Sequence, residues 1–269
     1  MRIWVNGELL EESAATLSVL DHGYTVGDGV FETVKAVDGV PFALERHLAR
    51  LAGSAAGLGL AAPDLGLVAK ACAEVLADSG TGGQRLRITY TAGTAPLGSD
   101  RGGATPSLVV AAVPLSGWDA TAAVVTLPWV RNERSPVVGL KTTSYAENVV
   151  ALAYAKQRGA SEGLFANTRG QLCEGTGTNV FVVVEGRVLT PPLTSGCLAG
   201  VTRALLLEWC DVVEADLPID ALTSADEVFL SSSTRDVQPV HRVDDRVLSG
   251  APGPVTERCA EQFARRAAA

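Results

Sequence analysis

Lys141 lies in GLKTTS, among glycine and hydroxyl residues just ahead of a helical pattern. Glu174 opens EGTGTN ahead of the apolar run VFVVV, and Gly200-Val201-Thr202 starts a second helical pattern after a loop containing Pro191, Pro192 and Gly196. A lysine forms a Schiff base with an aldehyde when burial or nearby positive charge lowers its pKa. A carboxylate can hold the proton on a basic ring nitrogen, so that the ring takes up electron density. Unpaired amides at a helix start, with the Thr202 hydroxyl, make a phosphate site. Ser231 to Thr234 offers further hydroxyls, and Arg50 in RHLARL a cation. Together these are the parts needed to hold an aldehyde cofactor that carries a basic ring nitrogen and a phosphate. Taken singly, each has an ordinary explanation: a surface loop lysine, a turn carboxylate capping local amides, a plain N-cap, a serine-rich turn, a solvated helix arginine. EGTG leads into a strand and lacks a GK[ST] ending, so it is not a P-loop.

Two kinds of periodicity place these residues. Residues 2–10 alternate around Asn6-Gly7, which predicts a hairpin with a type I′ turn. TVGDGVFETVKAV predicts a strand closed by Asp38-Gly39. Leu48, Leu51, Ala55 and Leu58 share one face of a predicted helix over 45–58, and Pro63-Asp64 starts another that runs to Asp78 with Leu65, Val68, Ala69, Cys72 and Val75 inward. RLRITYTAG, SLVVAAVPL and AAVVTLPWV predict three strands. Ser116 to Thr121 is the linker candidate, which divides the chain into an α+β domain over 1–118 and a second domain over 119–269. There a polar loop, Arg131 to Pro136, precedes Lys141. A helix over 144–158 carries Tyr145, Val149, Leu152 and Tyr154. Strands GLFAN, NVFVVV and RVLTPP follow, EVFLSSSTRDVQPV predicts a strand running into a Ser/Thr turn, and helices are expected over 201–210 and 254–266; the closing alanines are expected to fray. No regular βαβ alternation appears, so no doubly wound sheet is expected.

Composition narrows the function. The 269 residues carry a net charge of −8, which argues against nucleic acid or an anionic membrane as main partner. Five widely spaced cysteines without CxxC, and three scattered histidines, predict neither a metal site nor a disulfide framework, and fit a reducing cytoplasm. Met1 leads directly into a strand, and no apolar run is long enough to span a bilayer. Of the four lysines, Lys70 and Lys156 fall on predicted solvated helix positions.

GDGVFETVK, ERHLARL, GLKTTSYAENV, EGTGTNVF, LAGVTR and FLSSSTRDVQPV occur in this order over residues 27–240. In this the chain resembles the class IV aminotransferases, the fold type IV pyridoxal-phosphate enzymes. That group includes D-amino-acid and branched-chain aminotransferases, (R)-selective amine transaminases and 4-amino-4-deoxychorismate lyase. The resemblance implies a small α+β N-terminal domain, a larger domain with a barrel-like sheet, and a homodimer whose active site lies at the domain junction and is completed by the partner. It implies pyridoxal 5′-phosphate as cofactor, with Lys141 as Schiff-base lysine and proton carrier. Glu174 matches the partner of the ring nitrogen, Arg50, Val201, Thr202 and Ser233 the phosphate ligands, Leu198 the residue under the ring, and Tyr145 a tyrosine near the phenolic oxygen. Phe31, Lys35, Arg87 and Thr234 are candidates for substrate binding, as is Arg101. The implied reaction is amino transfer between an amino acid, on the D-amino-acid or (R)-amine side, and a 2-oxo acid; the lyase and branched-chain reactions are alternatives. Phe31 stands where D-amino-acid enzymes have Tyr, and Leu97 and Ser99 where they have an Arg-x-His carboxylate trap. FETVK stands where branched-chain enzymes have FEGIR.

Overall fold

Tight turns and alternating apolar residues build the first sheet. The computed structural model describes residues 1–268, so Ala269 lies outside the described chain. The chain divides into two compact units: Met1–Ser116 with Leu140–Tyr145, and Gly117–Gly139 with Ala146–Ala269. Leu140–Tyr145 is downstream of the boundary expected near Asp119, yet belongs to the first unit through its contacts.

In the first unit β1 (Arg2–Val5) and β2 (Glu8–Glu11) form a hairpin. Asn6 and Gly7 both have positive φ, as the type I′ turn requires. A short helix α1 (His22–Thr25) precedes β3 (Gly29–Val37) and β4 (Val40–Pro41). Helices α2 (Leu44–Gly57) and α3 (Leu65–Asp78) come next, then β5 (Gly83–Thr91) and β6 (Ser107–Pro114). The six strands run in the order β2-β1-β6-β5-β3-β4. Asp64 caps α3 by accepting the Leu67 amide at 3.0 Å. Both helices pack on one face of the sheet. Leu51, Ala55, Val68 and Val75 meet Val30, Val34, Leu86, Ile88 and Val110 there, all buried. Burying each large aliphatic chain contributes roughly 1.5–3 kcal/mol. Because strand side chains alternate, Phe31, Thr33, Lys35, Arg85, Arg87 and Thr89 lie on the opposite face.

The second unit begins with β7 (Ala122–Arg131), α4 (Ala146–Gln157) and β8 (Glu162–Asn167). Next come β9 (Leu172–Gly175), β10 (Asn179–Val184), β11 (Arg187–Thr190), α5 (Val201–Trp209) and β12 (Val212–Glu214). It ends with α6 (Ala221–Ser224), β13 (Glu227–Ser232), β14 (Asp236–Val243), β15 (Arg246–Val247) and α7 (Pro254–Ala267). Eight strands run in the order β12-β11-β10-β13-β14-β7-β8-β9, with β15 on β14, as a curled half-barrel. β7 pairs in parallel with both β14 and β8. The core is built by Val124, Leu164, Leu172, Val180, Val182, Val228 and Leu230, under Leu222. β9 and β12, neither expected from sequence, are four and three residues long, too short for a periodic signal. α4 buries Asn148, Ala151 and Ala155 and leaves Val149 and Val150 exposed. The fold is thus α+β, with a barrel-like sheet in the larger unit, as the sequence led us to expect.

Candidate active site

In the first unit the loop carrying Lys141 is added to the edge of β3. The Phe31 amide donates to the Lys141 carbonyl at 2.9 Å, Val30 and Thr142 form an antiparallel bridge, and the Thr143 amide donates to Gly29 O at 2.8 Å. The Lys141 amide donates to Ser54 Oγ on α2 at 3.1 Å. This fixes the backbone on both sides of the lysine and aims its side chain along the ring of Phe31. Lys141 Nζ lies 4.3 Å from the Phe31 centroid and 5.6 Å from that of Tyr145, and the two rings meet edge to face at 5.1 Å. The Arg87 guanidinium lies over Phe31 at 3.4 Å, with Nε donating to Thr89 Oγ1 at 3.2 Å. Burial pushes the Arg87 pKa down to about 10. Phe31, Arg87, Lys141 and Tyr145 therefore come together, with a cation and an aromatic wall beside the candidate nucleophile.

On the helix-covered face sits Glu32, fully buried. Arg50 donates to it through Nε at 2.8 Å and Nη2 at 2.7 Å, and His47 Nδ1 lies 2.7 Å away. Burial alone would raise the Glu32 pKa, but the Arg50 and His47 hydrogen bonds outweigh it and hold the carboxyl at about 2. Burial lowers the His47 pKa, against the pull of Glu32 and with help from the Arg50 and Lys141 charges. Glu32 thus fixes the orientation of Arg50. Sequence reading passed over both Glu32 and His47, although a carboxylate alternating with Val30 and Val34 in VFETVK was the available signal. Lys35 sits two rungs from Phe31, with Nζ 5.9 Å from the Phe42 ring. Arg101 is engaged elsewhere: it grips Asp28 with two 2.6 Å bonds and donates to the carbonyls of Leu58 and Gly59. Leu97 is exposed.

In the second unit Glu174 is on a strand, not in a turn. Its Oε2 accepts the Leu198 amide at 2.8 Å and its Oε1 lies 3.3 Å from Arg131 Nε. Arg131 lies over the Phe165 ring at 4.3 Å and reaches Glu147 at 3.2 Å. The sequence placed Arg131 merely at the start of a polar loop; its pairing with Glu174 became visible only when β7 and β8 were laid side by side. Burial, and then the charge of Glu174, push the neighbouring Cys197 thiol up to about 11. Asn179 Nδ2 donates to Leu198 O at 2.9 Å, which ties the Leu198 loop to β10.

The start of α5 is open. Gly200 is its N-cap and no side chain caps it, so the first amides, those of Val201 and Thr202, have no intrahelical acceptor. Gly200 is required there, because a Cβ would stand 2.0 Å from Asn179 Oδ1. Thr202 is buried. Ser233 and Thr234 lie in the turn that joins β13 and β14, next to Ser231, whose buried Oγ has no hydrogen-bond partner. An uncapped helix start and an orphaned buried hydroxyl are what a phosphate would satisfy.

This two-unit α+β scaffold, with its curled sheet, places the chain among the fold type IV pyridoxal-phosphate enzymes. Residues 29–243 match the family described as amino-transferase class IV. A putative branched-chain-amino-acid aminotransferase of Methanocaldococcus jannaschii is 33% identical over 98% of this chain and 95% of its own length. A D-alanine aminotransferase of Bacillus licheniformis is 31% identical over 96% of this chain and 94% of its own. The crystal structure of a branched-chain aminotransferase from Thermoproteus uzoniensis with norvaline superposes with a TM-score of 0.92, at 29% identity, over 99% of this chain and 94% of that one. The chain belongs to the class IV aminotransferases. It is a pyridoxal-phosphate-dependent aminotransferase or a closely related lyase. No helix among the described residues is long and apolar enough to cross a membrane.

Proposed function

We propose that this enzyme moves an amino group between an amino acid, on the D-amino-acid or (R)-amine side, and a 2-oxo acid. The observation that carries this reading is the Arg87 guanidinium stacked on Phe31 beside Lys141, which supplies a carboxylate anchor next to the nucleophile. Lys141 would hold the cofactor through Nζ, and the same Nζ, when free, would take the proton from the substrate α-carbon and return it on the product side. Pyridoxal phosphate, when bound, supplies the aldehyde and a ring that accepts the electron pair left by that proton. Glu174, oriented by Arg131 and the Leu198 amide, keeps the proton on the ring nitrogen. Each of its oxygens has a second lone-pair site for that purpose. The Val201 and Thr202 amides, the Thr202 and Ser233 hydroxyls and Arg50 hold the phosphate, Leu198 packs under the ring, and Tyr145 serves the phenolic oxygen. Lys35 and Thr234 assist in binding the substrate carboxylate.

We further propose a homodimer. Tyr24 (80% exposed) and Val19 (75%) in the first unit, and Val149 and Val150 in the second, are large apolar side chains facing outward that a second copy would cover. Light scattering that gave a monomer would remove this part.

The deciding experiment mixes the purified, cofactor-loaded enzyme separately with D-alanine, L-leucine and aminodeoxychorismate and follows the cofactor's visible absorbance. Bleaching by D-alanine is expected. Bleaching by L-leucine instead would favour the branched-chain reaction. Release of pyruvate and 4-aminobenzoate from aminodeoxychorismate, with the visible band retained, would make it the lyase. No visible band with added cofactor would overturn the role of Lys141.

A further inference from the structure

At its far end, about 13 Å along the helix from the Val201 amide, α5 is fastened to α7. The Trp209 ring meets Phe263 with centroids 5.4 Å apart, and the Trp209 carbonyl accepts a hydrogen bond from Gln262 Nε2. Cys210 comes next. It ends α5 as the C-cap, with its amide donating to Leu206 O at 2.8 Å. On α7, Cys259 stands one turn before Phe263, so both lie on the face that packs inward. This register brings two thiols together: the Cys210 and Cys259 side chains are hydrogen-bonded to each other. A disulfide can form only between cysteines that are already neighbours in this way.

The two sulfurs are not equivalent. Cys259 is buried, at 4% exposure, while Cys210 is partly open to solvent. The hydrogen bond from Cys259 lowers the Cys210 pKa against the effect of burial, and the Arg258 and Arg266 charges on α7 add to it. Cys259 moves the other way, because the same hydrogen bond, burial and the Cys210 charge all keep its proton on. The thiolate therefore forms at the sulfur that solvent reaches, with a second thiol directly behind it. Among the described residues no other cysteine combines these features. Cys72, Cys173 and Cys197 are buried, and burial pushes the Cys72 thiol up to about 12 and that of Cys197 up to about 11.

We propose that Cys210 and Cys259 are an oxidation site, a dithiol that closes to a disulfide when it meets a hydroperoxide. The Cys210 thiolate attacks a peroxide oxygen and the O–O bond breaks. The leaving alkoxide takes a proton to become an alcohol, and Cys210 becomes a sulfenic acid. The Cys259 sulfur then attacks the Cys210 sulfur, the S–O bond breaks, and hydroxide departs with the Cys259 proton as water. In all, two thiols give up two electrons and two protons, and one hydroperoxide takes them up to end as an alcohol and water. The new bond ties α7 to the helix whose first amides are the candidate phosphate site. None of this depends on which reaction the active site performs.

The test treats the reduced, cofactor-loaded full chain with a small excess of hydrogen peroxide. The remaining thiols are then alkylated under denaturing conditions, and the chain is weighed intact and after trypsin. Wild type should lose two of its five thiols and yield a linked pair of tryptic peptides, 204–235 with 259–265, that dithiothreitol separates. Cys259→Ser should instead gain oxygen at Cys210, because no thiol is left to resolve the sulfenic acid. Cys210→Ser should lose thiols roughly tenfold more slowly than wild type, or slower still. Wild type that keeps all five thiols, links other cysteines, or adds oxygen at Cys210 without the linked pair overturns the proposal. So does a Cys210→Ser chain that reacts at the wild-type rate. The mapping on wild type decides the matter even where a variant fails to fold.

Discussion

Replacing Glu32 by Gln gives a test whose size can be worked from the structure. Glu32 is fully buried, and three hydrogen bonds of 2.7–2.8 Å reach it from Arg50 and His47. Its pKa falls from 4.5 to about 2 on folding. Holding the carboxyl at about 2 corresponds to about 3 kcal/mol of stability. Since the folded pKa is the lower one, the contribution is complete above about pH 4.5 and is lost as pH falls toward 2. Glu32→Gln keeps the shape but leaves Arg50 without its counter-ion, so the variant should lose about 3 kcal/mol at pH 7. The gap between wild type and variant should then close between pH 4.5 and pH 2, because a protonated Glu32 resembles Gln. Urea unfolding followed by circular dichroism at a series of pH values measures this directly. A gap under about 1 kcal/mol at pH 7, or one that stays constant down to pH 2.5, would refute the view that Arg50 is anchored by a charged Glu32.

Lys141→Ala should lower turnover by more than about a thousandfold and abolish the cofactor's visible band, with an unfolding midpoint within about 2 °C of wild type; normal turnover would end the assignment. Glu174→Gln should cut kcat roughly a hundredfold without a matching loss of stability, measured as steady-state kinetics beside thermal unfolding. Gly200→Ala drives a Cβ against Asn179 Oδ1 and should cost about 1–3 kcal/mol while weakening cofactor retention. Equilibrium dialysis against pyridoxal phosphate together with thermal unfolding would report both. Arg131→Met should slow the reaction less than Glu174→Gln does, because it removes an orienting contact at 3.3 Å and not the carboxylate itself.

Much of the scaffold could be read without coordinates, and the reasons are local. The Asn6-Gly7 turn, the apolar stripe Leu48-Leu51-Ala55 and the Asp64 cap are each settled by a few neighbouring residues. What stayed hidden depends on pairing across long stretches of chain. That Glu174 would stand on a strand beside Arg131 follows from β7 lying parallel to β8 and β9 folding back on it, and periodicity carries no record of a partner. The surroundings of Lys141 were hidden for the same reason. Phe31 and Arg87 reach it only because the loop after Gly139 closes onto the edge of β3. Order along the chain revealed the candidate residues; register revealed which of them meet.

The segment Leu140–Tyr145 belongs to the first unit although its flanks on both sides belong to the second. In a chain made from its N-terminus, the edge of β3 at Val30 therefore stays open until Thr142 has been synthesised, well after the other five strands of that sheet are available. The loop bearing Lys141 is among the last parts of the first unit to be added, and no single cut can release that unit with its lysine in place. A nascent chain stalled before residue 140 would carry a nearly finished sheet with an unpaired strand edge and without Lys141.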